Sequence, residues 1–143
     1  AGFSTGGMFS YALACFSNEP IAGVAAVSAT QLNLVDCAPS PTNAFIAHGT
    51  ADDVLPYNGS SDIASIDEVV SFWTSLNQTS TFAQESSYAF GKETVYLHTY
   101  TEGINNTQVM HYKVENGGHG WFDHEIEGQS FTSLLWGFLT SQQ

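Results

Sequence analysis

The sequence predicts an α/β fold, a mostly parallel sheet with helices on both faces, and three observations carry that prediction. Two short runs, IAGVAAV at residues 21–27 and NAFIAHGT at 43–50, are predominantly apolar on both faces, as strands covered from both sides must be. Segments with helical spacing of apolar residues alternate with these runs. The stretch GFSTG, at residues 2–6, has the GxSxG pattern of a tight strand-to-helix turn.

In chain order, residues 6–16 are small and apolar, with Met8, Phe9, Ala12, Leu13 and Phe16, which suits a helix buried on most sides. Asn18, Glu19 and Pro20 end it. The first apolar strand follows, then a polar loop holding Pro39 and Pro41, then the second strand. A helix is predicted over 63–76, with Ile66, Val69, Val70, Trp73 and Leu76 on its core side and Ser61 or Asp62 as its N-cap. The polar stretch over 77–93 reads as an irregular surface excursion. TVYLHTYTE and QVMHYKVE flank a Gly-Ile-Asn-Asn turn and read as a hairpin or two adjacent strands near a sheet edge. SFTSLLWGFLTSQ closes the chain as an amphipathic helix through Phe131, Leu134, Leu135, Phe138 and Leu139. No internal repeat or domain boundary interrupts residues 1–143.

Composition narrows the function. Two lysines face 14 carboxylates, for a formal charge of -12, a field that repels phosphate backbones and disfavours nucleic acid as a partner. No apolar run approaches the roughly 20 residues of a membrane span, so no membrane partner is expected. Cys15 and Cys37 are too far apart for a CxxC motif; they are either a crosslink or two buried thiols. Sequons at Asn58, Asn77 and Asn105 matter only in a glycosylating host. The histidines show neither HExxH nor finger spacing, and no metal or organic cofactor is implied.

Chemistry gathers at three junctions. At the first, a tight turn lifts the Ser4 hydroxyl above the sheet, and the helix that follows aims the backbone N–H of Thr5 at a developing oxyanion. At the second, HGTADDVLPY, Asp52 stands just past a strand end, where an acid can orient a histidine; Asp53 is the lesser alternative and His48 a structural residue. At the third, GGHGW, His119 lies between glycines that free its backbone to reach into a cleft, with Trp121 as an apolar wall for substrate. His98, His111 and His124 read as edge-strand or surface side chains. Ser4, Asp52 and His119 come in the chain order of α/β-hydrolases, unlike the orders of chymotrypsin or subtilisin.

GFSTGGMFSYALAC, the Cys37-Ala-Pro-Ser-Pro loop, HGTADDVLPYNG, EVVSFWTSLN and NGGHGWF together resemble the polyhydroxybutyrate depolymerase and feruloyl esterase group of secreted α/β-hydrolases. The resemblance runs nearly the length of the chain. It implies Ser4 as nucleophile, Asp52 as acid, His119 as base, a Cys15–Cys37 disulfide and an extracellular location. It also implies that the chain is the C-terminal part of such a domain, from elbow to last helix. The N-terminal strands are then missing, including the one whose loop supplies the second oxyanion donor. Gly120 stands where relatives often carry Thr or Asp. The expected function is a serine esterase acting on feruloyl or acetyl polysaccharide esters or a short polyhydroxyalkanoate. A peptidase or lactone hydrolase with the same triad is one alternative. An inactive fragment, or a non-catalytic binding module, is another.

Overall fold

The computed structural model describes residues 1–141 and is an α/β structure built on one six-stranded sheet. The strands are β1 (Gly2–Phe3), β2 (Gly23–Val27), β3 (Asn43–Gly49), β4 (Gln84–Phe90), β5 (Glu93–Tyr100) and β6 (Val109–Glu115). Their order across the sheet is β1-β2-β3-β6-β5-β4. The pairings from β1 to β6 are parallel; β5 and β4 are added antiparallel at one edge. A small hairpin, β7 (Glu125–Ile126) and β8 (Gln129–Ser130), precedes the last helix.

Three helices cover the sheet: α1 (Thr5–Phe16), α2 (Ile66–Asn77) and α3 (Phe131–Thr140). Because side chains alternate along a strand, β2 and β3 send Val24, Ala26, Ala44 and Ile46 toward Tyr11 of α1 and Val69 and Trp73 of α2. Ala25, Val27, Phe45 and Ala47 face Phe131, Leu135 and Phe138 of α3. The central strands are therefore buried on both sides, which is why they read as predominantly apolar runs.

Four expectations change. Helix α2 begins later than predicted: Ser65 is the N-cap, its hydroxyl accepting from the Glu68 N–H while the Glu68 carboxylate accepts from the Ser65 N–H. The stretch read as an irregular excursion contains β4, an edge strand whose polar residues face solvent while Tyr88 and Phe90 pack on the core. Helix α1 is not buried on most sides; it buries Gly7, Ser10, Tyr11 and Ala14 and exposes Phe9, Leu13 and Phe16. His111 and His124 are buried, His111 bonded to the Tyr57 hydroxyl and His124 to that of Tyr112.

Cys15 of α1 and Cys37, in the loop after β2, form a disulfide across 22 residues. Closing a loop of that size removes unfolded-state entropy worth roughly 3 kcal/mol. Of the three sequons, Asn77 is wholly buried, its side chain exchanging two hydrogen bonds with the Thr42 backbone, whereas Asn58 and Asn105 are exposed.

Candidate active site

Ser4 occupies the turn between β1 and α1 with φ 52° and ψ -118°, a backbone region that side chains other than glycine seldom visit. The turn is held by Ser4 N–H donating to Val27 O at 2.8 Å and Met8 N–H donating to Ser4 O at 3.0 Å. It closes so tightly that a Cβ on Gly2 would lie 2.1 Å from the Gly6 carbonyl carbon. Gly7 likewise packs against Ala29, while a Cβ on Gly6 would meet open space. The steric demand thus falls on Gly2 and Gly7, one residue off the motif's second glycine.

A serine at a helix N-cap normally uses its hydroxyl to accept from the first turn of that helix. Ser4 does not; its Oγ points instead at His119 Nε2, 3.1 Å away. On the other side of the ring, His119 Nδ1 lies 2.8 Å from Asp52 Oδ2. An ionised carboxylate only accepts, so Nδ1 carries the proton and Nε2 is left to accept from the Ser4 hydroxyl. Three residues from three distant points in the sequence thereby form one hydrogen-bonded chain. With its hydroxyl turned away, Ser4 leaves the first N–H groups of α1, that of Thr5 foremost, without an intrahelical acceptor at the positive end of a helix dipole.

Asp52 is buried and fully occupied. Its Oδ1 accepts from the N–H groups of Val54 at 2.9 Å and Leu55 at 2.8 Å, and His48 Nε2 stands 3.2 Å from Oδ2. Burial pushes the carboxyl pKa up, but the Leu55 N–H, the His119 ring, the Val54 N–H and His48 outweigh it, and the net direction is downward. The His48 ring, also hydrogen-bonded through Nε2 to Leu55 O at 2.8 Å, is pushed downward chiefly by burial and so stays neutral. Asp53, next along the loop, is exposed and takes no part.

No protein-family model matches the chain, and no curated protein matches it.

The loop that carries His119 is pinned from a place the sequence did not flag. Ser28, at the end of β2 with φ 50°, donates its hydroxyl to Gly120 O at 2.8 Å and accepts from Gly120 N–H at 3.2 Å. Gly117 O accepts from the Ala51 N–H at 2.9 Å, and a Cβ on Gly49 would lie 2.1 Å from that carbonyl oxygen. By contrast, Gly118 and Gly120, the glycines flanking His119, have open space where a Cβ would sit. The ring packed on His119 is Phe3, at 5.1 Å between centroids. Trp121 is partly exposed, rests edge-on against Phe131 at 5.3 Å and donates from Nε1 to Thr132.

Proposed function

We propose that this chain carries the catalytic residues of a serine esterase. The observation that supports it most is the unbroken chain from Ser4 Oγ through His119 to Asp52. In this reading His119 Nε2 takes the hydroxyl proton as Ser4 Oγ attacks the ester carbonyl carbon, and Asp52 stabilises the imidazolium. The negative charge on the tetrahedral oxygen is met by the Thr5 N–H at the start of α1. As the tetrahedral centre collapses, the ester C–O bond breaks, His119 returns the proton to the departing alcohol, and an acyl-Ser4 ester remains. Water, deprotonated by His119, attacks that ester; the acyl–Oγ bond breaks, His119 returns the proton to Ser4 Oγ, and the acid leaves.

One N–H makes half an oxyanion hole. The outer edge of β1 is unpaired among the described residues, and Phe9 and Phe16 of α1 are 63% and 53% exposed. We propose that a further segment of the same domain pairs with that edge, covers those rings and supplies the second donor. Feruloyl or acetyl polysaccharide esters and short polyhydroxyalkanoates are the proposed substrates, with Trp121 at the pocket rim. The disulfide fits an oxidising, extracellular setting. The direct test is hydrolysis of p-nitrophenyl acetate and methyl ferulate by the native protein. Ser4→Ala should lower kcat/KM by about a thousandfold or more with unchanged circular dichroism. Retention of full activity in that variant would exclude Ser4 as nucleophile.

A further inference from the structure

A cavity of about 720 Å³ lies over β4, β5 and β6 on the sheet face that α2 flanks, with Asp67 of α2 among its lining, and none of Ser4, Asp52 or His119 lines it. Its floor follows from the strand register. His98 pairs with His111 and Glu85, and Tyr96 with Lys113 and Ser87, so all these side chains share one sheet face. The rings of Tyr96 and His98, two residues apart on β5, are parallel to within 8° with centroids 6.5 Å apart. Both rings line the cavity. Around it the polar groups are tied to one another. Glu85 Oε1 lies 3.1 Å from His98 Nε2, the Tyr57 hydroxyl donates to Asp67 at 2.8 Å, and the Tyr96 hydroxyl bonds to Glu115. The Lys113 ammonium sits 5.2 Å from the centre of the Tyr57 ring.

The lining chooses among ligands. An anion would meet the carboxylates of Asp67, Glu85 and Glu115, whereas an organic cation would meet the resident Lys113 ammonium. A neutral polyol meets neither objection. Each tethered carboxylate keeps free lone pairs for a hydroxyl group, Lys113 keeps donors, and a pyranose can set its C–H face against the Tyr96 and His98 rings. The volume is that of an ordinary small-ligand site. We propose that this cleft binds a neutral saccharide chain, with Tyr96 and His98 as the platform. Under the esterase reading, on which only this last step rests, the cleft would hold the sugar portion of a glycan-linked ester and favour it over a polyester. Thr50 and Asn58 of the loop bearing Asp52 form one of its walls.

The experiment is calorimetric titration of the native protein carrying Ser4→Ala with ester-free hexasaccharides of β-1,4-linked xylose, glucose and mannose, with amide chemical shifts followed in parallel. Saturable binding of at least one sugar is expected, with shifts at Ser87, Tyr96 and Lys113. Binding should weaken about tenfold or more in Tyr96→Ala and in Ser87→Arg, the latter filling the cleft from an exposed edge strand. Failure of all three sugars to saturate would overturn the proposal. So would binding that ignores both variants, or saturation by spermidine in place of a sugar. Because these sugars carry no ester, their binding reads the cleft alone, and hydrolysis of methyl ferulate reads Ser4 alone.

Discussion

Ser28 shows how a residue remote in sequence sets the position of another. Its hydroxyl both donates to and accepts from the Gly120 backbone, and those two bonds stand next to His119. Truncating it leaves a carbonyl and an N–H unpaired, which costs about 1–3 kcal/mol where water cannot replace the partner. Ser28→Ala should therefore lower unfolding stability by that amount in urea titrations, and lower kcat on methyl ferulate more than it changes KM. Residues of this kind were illegible in the sequence because their partners lie 92 positions away and a Ser before Ala carries no motif. Asp52 and His119 were legible for the opposite reason: each is a titratable residue immediately following an apolar run or within a glycine cluster. The His48 contact to Asp52 sits between the two cases. Its place at a strand end was visible, but not that its ring would share the oxygen used by His119.

At the scale of elements, periodicity served best where an element is buried on one side or both. The two central parallel strands and α3 fall close to where their apolar residues place them, since burial and pattern have the same cause. The paired strands β5 and β6 are adjacent and antiparallel, as their alternation and the turn between them suggested. Strand β4 escaped because an edge strand needs only one apolar face, and here Tyr88 and Phe90 supply most of it. Their spacing of two was the available signal. The start of α2 was misplaced although Ser65-Ile66-Asp67-Glu68 is a capping-box sequence, a pattern that outranks a bare Ser or Asp upstream. Helix α1 was overburied because apolar content alone does not say which of its faces meets the sheet.

Over the whole molecule, charge and burial combine into a pH dependence. His48 and His111 are both buried and held neutral, and burial brings His111 down to about 3. His111 faces the Tyr57 hydroxyl, with His98, Asp67 and Lys113 around it. A buried histidine with a lowered pKa binds its proton later than the unfolded chain does. Between about pH 6.5 and pH 5 the unfolded state thus holds more protons, and stability falls as pH falls, by up to ~1.4 kcal/mol per pH unit for each such histidine. Asp52, whose pKa is also lowered, adds stability above the ordinary carboxylate range that is lost only at lower pH. Urea titrations at pH 7, 6 and 5 should show this decline, and His111→Gln should make it shallower.

The central claim is that Ser4 is a nucleophile activated by His119. A fluorophosphonate reacts only with a serine whose hydroxyl is deprotonated by a neighbouring base and whose product oxygen is stabilised. Treating the native protein with such a probe, digesting it and locating the adduct by mass spectrometry should place one phosphonyl group on Ser4. The adduct should be lost in His119→Ala. An unlabelled Ser4, or labelling of another serine with Ser4 intact, would contradict the claim.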